Sequence, residues 1–206
     1  GLSKGMQVKG IRRGYLGLIN EEIIDMEARS VSNVMQHGGT ILETERCPEF
    51  ELSEVQDKAI EICRKHGIDA LVIAGTTGEG ATLTYDEHQE VIRYSVERAA
   101  GRVPIIAGSG SNDTSRAITL SRFSCDAGAD ALLVVTPYYN KATQKGLIAM
   151  YNAIADAVDR PIILYNVPSR TGVGIEPSTY LALADHPNIV GIKEANGDIS
   201  SVVDTM

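Results

Sequence analysis

From residue 68 onward, continuous apolar runs alternate with amphipathic stretches. The apolar runs are rich in Val and Ile and occupy residues 68–75, 103–110, 129–137, 160–168 and 188–195. Such runs are typical of strands buried on both faces, as in parallel sheets. The stretches between them predict helices over residues 84–100, 114–128, 144–158 and 176–186. Strand starts therefore recur about every 30 residues, which is the size of one βα unit.

The predicted helices carry start and stop signals. Thr84 suits the N-cap of the first helix, Gly128 the stop of the second, and Pro177 the first turn of the last. The first helix has a stripe that we expect to face the core, made of Val91, Tyr94, Ser95 and Ala99. The regular repeat fits either a doubly wound open sheet or an arc of a (β/α)8 barrel, and periodicity alone leaves both open.

Residues 1–67 have a different pattern. We predict a short strand over 6–11, a glycine-punctuated loop over 12–26 with a small strand at 22–25, and helices over 30–39 and 49–67. In the longer helix, Ser53 suits the N-cap, Gln56 would complete a capping box, and Gly67 is the stop. Our hypothesis is that strand 6–11 joins the large sheet in parallel beside strand 68–74.

Composition narrows the class of protein. The 206 residues are 43% hydrophobic and 22% charged, as in soluble globular proteins. The net charge of −8 argues against a nucleic-acid surface, and no apolar run reaches the ~20 residues of a membrane helix. Three scattered cysteines suggest free thiols in a reducing cytoplasm, and the four histidines have no metal-ligand spacing. We expect no structural metal, and both ends of the chain suggest a fragment.

Candidate chemistry lies where the predicted strands end, since reacting groups gather at the carboxyl ends of parallel strands. The ends carry Gly75-Thr76-Thr77-Gly78-Glu79, Gly108-Ser109-Gly110, Thr136-Pro137-Tyr138-Tyr139-Asn140, Tyr165-Asn166-Val167-Pro168-Ser169-Arg170 and Lys193-Glu194-Ala195. The set has neither the histidine for a Ser-His-Asp triad nor a pair of acids. It suits carbonyl chemistry through the amine of Lys193, which desolvation at the end of an apolar strand would keep neutral.

Each of these signals is weak alone. A lysine at a strand end usually reaches solvent, and tyrosines there usually pack with the hydroxyl at the surface. The Gly-Ser-Gly of residues 108–110 fails as a dinucleotide motif, because Asp113 stands where a third glycine is needed.

Together the motifs resemble one family. GTTGE, TPYYN, YNVPSRTG and IVGIKEA, in this order, look like dihydrodipicolinate synthase, a Schiff-base aldolase of the (β/α)8 class. The resemblance covers about residues 68–206, strands two to six of the family barrel. N-acetylneuraminate lyase and keto-deoxy-sugar aldolases share the lysine and a related glycine motif, but VPSRTG and the double threonine favour the synthase.

The resemblance implies a role for each matching residue. Lys193 would form an imine with pyruvate, and Thr77 would hold the pyruvate carboxylate. Tyr165, Thr76 and Tyr139 would relay protons, with the last tyrosine entering from a neighbouring subunit, so that a homo-oligomer is implied. Arg170 would bind the carboxylate of aspartate 4-semialdehyde, with no cofactor needed. The product would be hydroxy-tetrahydrodipicolinate, on the route to lysine.

Residues 1–72 resemble a different family. VKGIRRGYLGLI, SVSNVMQHGGT and ERCPEF, followed by a helix and HGIDALV, look like the amino-terminal domain of 6-phosphofructokinase. The nucleotide loop and catalytic aspartates that phosphoryl transfer needs are missing. We therefore expect a chimera joined within strand 68–74.

The expected fold is α/β, a partial (β/α)8 TIM-barrel arc preceded by a Rossmann-like kinase-derived βα segment. The predicted division is a phosphofructokinase-like segment over 1–67 and a synthase-like partial barrel over 68–206. Two functions remain open, a pyruvate-condensing lyase and a non-catalytic chimeric scaffold, with kinase activity a distant third.

Overall fold

The computed structural model describes residues 8–26, 47–76, 78 and 80–196, which form two compact units, one ending at Asp69 and one beginning at Ala70. The first unit comprises β1 (Val8–Ile11), α1 (Gly14–Ile19), β2 (Ile23–Met26), a 3₁₀ turn (Pro48–Glu51) and α2 (Ser53–Lys65). The second comprises β3 (Leu71–Ile73), a 3₁₀ turn (Gly80–Thr82), α3 (Tyr85–Ala99), β4 (Ile105–Gly108), α4 (Thr114–Asp126), β5 (Ala131–Val135), α5 (Gln144–Ala155), β6 (Ile162–Asn166), α6 (Pro168–Thr171), α7 (Pro177–Leu183) and β7 (Ile189–Glu194). None of the described helices is long and apolar enough to cross a membrane.

The two strands of the first unit pair with each other. β1 and β2 run antiparallel, with Ile11 opposite Ile23, and form a sheet of their own. The hypothesis that strand 6–11 lies parallel beside strand 68–74 is therefore wrong. The physical reason is that the chain turns back through α1, so that β2 meets β1 as an antiparallel partner and the hydrogen bonds of β1 are made within the first unit. The expected Rossmann-like segment finds no support in these described residues.

The helices of the first unit depart from the sequence pattern in two places. The predicted loop over 12–26 contains α1, which follows a left-handed Arg13 at φ 53°. The capping box proposed for α2 is absent, since the helix has no side-chain cap and Gln56 Nε2 instead donates to Phe50 O at 2.8 Å. Gly67 follows the helix with φ 63°, as predicted for its stop. The predicted helix 30–39 lies outside the described residues.

The second unit is built on five strands in the order β3-β4-β5-β6-β7, all parallel. Each strand therefore pairs with the next strand along the chain, with a helix between them. This order confirms the prediction of an α/β fold with a parallel sheet, and it is the order of a barrel arc. All five carboxyl ends consequently lie at one edge of the sheet.

One face of this sheet packs against the helices. The core there centres on side chains with no exposed surface, such as Ile92, Leu132, Leu147 and Leu183. α3 begins with the predicted cap, since Thr84 and Glu87 form a reciprocal capping box. Within the predicted stripe of α3, Ala99 is buried as expected, but Tyr94 is 46% exposed and the fully buried Ile92 lies outside the stripe.

The opposite face of the sheet carries a smaller apolar cluster. Leu133, Tyr165 and Val167 are buried there, and Ile106, Val135 and Ile163 pack against them. Tyr165 is the last aromatic residue of β6, so this face leads directly to the carboxyl edge of the sheet. The candidate site lies at that edge.

Candidate active site at the carboxyl ends of the strands

Tyr165 and Lys193 occupy partner positions on neighbouring strands. The register of β6 and β7 pairs their Cα atoms, so both side chains leave the same face of the sheet. The Lys193 Nζ lies 4.0 Å from the centroid of the Tyr165 ring. The Tyr165 side chain is only 6% exposed, so the packing around it fixes the position of its ring. The pairing therefore brings the predicted nucleophile against the predicted proton-transfer residue.

The amine of Lys193 is electrostatically unusual for a surface lysine. The residue as a whole is exposed, but its amine end rests on the tyrosine ring. The pKa of Lys193 is lowered, first by desolvation and second by the positive charge of Arg170. Both effects disfavour the ammonium form. A larger share of neutral, nucleophilic amine is therefore present near neutral pH.

Arg170 is positioned by a short helix that the sequence pattern did not predict. α6 begins at Pro168, whose fixed φ suits a first turn, and ends at Gly172 with φ 74°. The Arg170 side chain is exposed and lines the same cavity as Tyr165. A guanidinium at this place can bind a carboxylate through two parallel hydrogen bonds.

The loop after β3 packs tightly over β4. Ala74 has a left-handed φ of 53°, which turns its carbonyl oxygen toward two glycines. A Cβ at Gly80 would lie 2.3 Å from that oxygen, and a Cβ at Gly108 would lie 2.5 Å from it. Only glycine fits these positions. This close approach places Thr76 at the edge of the cavity, while Thr77 lies outside the described residues.

The two tyrosines after β5 have different environments. Tyr138 lines the cavity, whereas Tyr139 is 88% exposed and does not. Tyr139 has a left-handed φ of 72°, and its backbone N–H donates to Thr171 O at 3.3 Å. The structure of this chain therefore directs Tyr139 outward and does not bring it to Tyr165 or Lys193.

The cavity has a volume of about 470 Å³ and joins several strand ends. Of the predicted site residues, Thr76, Tyr165 and Arg170 line it. Sequence reasoning missed His88, Ser111 and Arg116 around it, and it named Tyr138 at a strand end without giving it a role. The repeated tyrosine of TPYYN was the available signal for Tyr138. No comparable signal in the sequence indicated His88. This residue lies on α3 and reaches the cavity with its Nε2 2.8 Å from Gly108 O.

The functional groups at the site are those that carbonyl chemistry uses. In the part of the chain that the structure describes, no cluster of three His, Cys, Asp or Glu side chains is arranged to hold a metal ion. An amine of lowered pKa, a buried tyrosine, a threonine and an exposed guanidinium meet at one sheet edge. Such a set can form an imine with a ketone and bind carboxylates.

Comparisons with known proteins agree with this chemistry. The Dihydrodipicolinate synthetase family profile matches residues 48–206. The chain is 57% identical to a 4-hydroxy-tetrahydrodipicolinate synthase of Thermoanaerobacter sp. strain X514 over 141 residues, which are 68% of this chain and 48% of that protein. It spans about half the length of the curated relatives that it matches.

Solved structures show the same likeness. The chloride-inhibited dihydrodipicolinate synthase of Acinetobacter baumannii in complex with pyruvate is 52% identical, with a TM-score of 0.66 over 69% of this chain and 49% of that one. The dihydrodipicolinate synthase of Thermotoga maritima is 38% identical, with a TM-score of 0.69 over 81% of this chain and 55% of that one.

The phosphofructokinase resemblance of residues 1–72 finds no support in these comparisons. The family match extends to residue 48, so that it includes α2, which sequence reasoning had assigned to the kinase-like segment. Motif order at the strand ends, the parallel sheet and the family match lead to one assignment. The chain belongs to the Dihydrodipicolinate synthetase family.

Proposed function

We propose that this chain carries the pyruvate-condensing site of a 4-hydroxy-tetrahydrodipicolinate synthase, a lyase that joins pyruvate and aspartate 4-semialdehyde. The observation that carries the proposal is the Lys193 amine, which lies 4.0 Å from the Tyr165 ring centroid with a lowered pKa. A lysine in this state is the nucleophile of Schiff-base chemistry. The product is hydroxy-tetrahydrodipicolinate, an intermediate on the route to lysine.

The first step is imine formation at Lys193. Its neutral amine attacks the ketone carbon of pyruvate, and the carbinolamine then loses water to give the imine. A proton must reach the departing hydroxyl, and the phenol of Tyr165 is the nearest acid on the neighbouring strand. Transfer of a methyl proton to the Tyr165 phenolate then gives the enamine, whose carbon attacks the aldehyde of the second substrate. The amino group of that substrate then attacks the imine carbon and displaces the amine of Lys193, which releases the product.

The remaining residues bind substrates and relay protons. Thr77 holds the pyruvate carboxylate, and Arg170 binds the carboxylate of aspartate 4-semialdehyde from its exposed position on α6. Thr76, at the edge of the cavity, links the phenol of Tyr165 to a second tyrosine. None of these steps requires a cofactor, and we propose a cytoplasmic enzyme.

The second tyrosine is Tyr139, and we propose that it acts in a neighbouring copy of the chain. Its 88% exposure supports this, because an aromatic side chain held outward is available to another subunit. The active assembly is then a homo-oligomer, a dimer or tetramer. Residues 68–206 carry the synthase machinery in this proposal, and the residues before 48, which the family profile does not match, are an additional segment.

The test is trapping of the imine with borohydride. The full chain is mixed with pyruvate, reduced, digested and mapped by mass spectrometry. A reduced adduct on Lys193 is expected, with loss of the adduct in Lys193→Ala and no loss in Lys145→Ala, which removes an exposed lysine on α5. Condensation with aspartate 4-semialdehyde is then measured on the same protein.

The alternative is a non-catalytic scaffold, and one observation favours it. The chain spans about half the length of its curated relatives, so the groups that the other half contributes in those proteins are not supplied by the matched residues. A folded chain that gives no adduct on Lys193 would contradict the synthase proposal and support the scaffold.

A further inference from the structure

Behind the Tyr165–Lys193 pair lies a second pair of partner residues. Asn166 and Glu194 are the next positions in the register of β6 and β7, so their side chains leave the opposite face of the sheet. Asn166 is 1% exposed, and its Nδ2 donates to Glu194 Oε1 at 3.0 Å and to Oε2 at 2.9 Å. The two strand ends that carry the candidate chemistry are thus joined directly.

The Glu194 carboxylate has further donors on both oxygens. The hydroxyl of Tyr180, on α7, donates to Oε2 at 2.7 Å, and the backbone N–H of Asn196 donates to Oε1 at 3.0 Å. Asn166 is itself anchored, because its Oδ1 accepts from the Ile175 N–H at 3.1 Å. The carboxylate therefore connects β6, β7, α7 and the segment that follows β7.

Apolar packing against the core holds the start of β7 at Ile189 but not the rest of the strand. Among the described strands it pairs with β6 alone, and it exposes Val190 by 61% and Ile192 by 41%. An edge strand with exposed apolar residues gains little from burial. At the end of the strand the Ala195 N–H donates to Asn166 O at 2.8 Å, and the hydrogen bonds to Glu194 add a side-chain restraint on the direction in which the strand ends. Lys193 is the residue immediately before that restraint.

We propose that Glu194, held by Asn166 and Tyr180, is a positioning residue that fixes the amine of Lys193 against the ring of Tyr165. The proposal rests on the proposed function, in which that amine is the nucleophile. Glu194 acts through the backbone, since it lies on the face of the sheet opposite to Lys193. Its negative charge is stabilised by hydrogen bonds from uncharged donors, and the charged neighbour of the Lys193 amine is Arg170.

Loss of the restraint has a defined chemical consequence. The groups that face the Lys193 amine are the Tyr165 ring and the Arg170 charge, while Asn166 and Tyr180 face Glu194. If the strand end moves, the amine leaves the ring and becomes hydrated. Its pKa then returns toward the ordinary value of about 10.4. Each unit by which the pKa of Lys193 rises lowers the neutral fraction of its amine about tenfold near neutral pH.

The experiment measures Lys193 without relying on its reaction with pyruvate. Competitive acetylation of the full chain across pH, read by mass spectrometry, gives the pKa of the Lys193 amine, and borohydride trapping with pyruvate is measured in parallel. The variants are Glu194→Ala and the milder Tyr180→Phe, which removes one hydroxyl donor. Tyr94→Phe, on the exposed face of α3, is the matched control.

Exchanging the amide and the carboxylate between positions 166 and 194 distinguishes an effect on the position of Lys193 from an effect on the stability of the fold. Asn166→Asp places two carboxylates against each other, whereas Asn166→Asp combined with Glu194→Gln restores an amide facing a carboxylate with the roles reversed. Circular dichroism establishes which variants are folded. If Glu194→Ala does not fold, Tyr180→Phe and the exchanged pair decide the question.

The expected result is an upward shift of the Lys193 pKa in Glu194→Ala and, less strongly, in Tyr180→Phe, with slower trapping and recovery in the exchanged pair. Folded variants with an unchanged Lys193 pKa would overturn the positioning role, as would an ordinary pKa in the unmodified chain. A lowered Lys193 pKa without any pyruvate adduct would contradict the proposed function alone. In that case the shift in Tyr180→Phe still decides whether Glu194 positions the amine.

Discussion

The hydroxyl of Thr136 donates to the hydroxyl of Thr171 across 3.0 Å, and both side chains are buried. Thr136 precedes the loop that carries Tyr139, and Thr171 ends the helix that carries Arg170. Thr171 Oγ1 also lies 3.2 Å from Val167 O and 3.0 Å from Val173 O. One hydroxyl pair thus couples two loops that the proposed mechanism needs.

Replacing Thr171 by Val is expected to destabilise the fold by about 1–3 kcal/mol, because the fully buried Thr136 hydroxyl loses its partner. The melting temperature should fall by several degrees, since ~1 kcal/mol corresponds to about 2–4 °C in a chain of this length. Calorimetry measures both quantities. Thr119→Val, which removes an exposed hydroxyl bonded to Ser115 O, is the control and should change the melting temperature little. Equal melting temperatures for the two variants would contradict the prediction.

Replacing Arg170 by Ala should raise the pKa of Lys193. The positive charge of Arg170 disfavours a second positive charge on the amine, so its removal stabilises the ammonium form. The pH profile of Lys193 acetylation is expected to move to higher pH. Arg160→Ala, at the opposite end of β6, is the charge-matched control. A downward shift in Arg170→Ala would refute the electrostatic account.

His88 should make the fold sensitive to acid. Its pKa is lowered by burial and secondarily by the charge of Arg116, so the folded state favours the neutral ring. The folded pKa lies below the unfolded value of about 6.5. The stabilising contribution is therefore complete above about pH 6.5 and is lost as the pH falls through the folded pKa.

The measurement is the free energy of unfolding by denaturant at pH 5 to 8. We expect His88→Gln, which can still donate to Gly108 O, to lose less stability on acidification than the unmodified chain. Identical pH dependence in the two proteins would show that His88 does not cause the acid sensitivity.

Gly108→Ala should disturb the loop that carries Thr76. The new Cβ would lie 2.5 Å from Ala74 O, a backbone atom of the loop after β3 that cannot move independently of the chain. We expect a cost of about 1–3 kcal/mol or more, together with a changed cavity edge. Gly146→Ala is the control, because the nearest atom to its Cβ is Thr143 Oγ1 at an ordinary 3.4 Å. The control should be neutral or stabilising by up to ~1 kcal/mol.

Patterns within about 30 residues predicted the second unit well. Five apolar runs became five parallel strands, Thr84 formed its capping box, and Gly128 ended α4 with φ 96°. These signals are local, since each depends on neighbours along the chain. The resemblance of the strand-end motifs also led to the family.

Sequence reasoning failed where specific contacts or an unusual backbone conformation decide the structure rather than the apolar pattern. The pairing of β1 with β2 is a choice between possible partners, and apolar alternation does not specify it. Gln56 does not form the predicted capping box, because its side chain donates to Phe50 O instead. The network around Glu194 could not be seen, because it needs the register of β6 against β7 and the position of Tyr180 on α7. The outward direction of Tyr139 depends on a left-handed backbone that its residue type does not favour.

The order of the strands has a consequence for how the chain acquires its site during synthesis. Each strand of the large sheet pairs with the one made immediately before it, so the sheet can grow in the direction of translation from β3 to β7. Lys193 lies on the last of these strands, and its partner Tyr165 is already in place when it arrives. We expect pulse-labelled hydrogen exchange during refolding to protect the β4 and β5 amides before those of β7. The nucleophile would then become reactive only when folding of the sheet is complete.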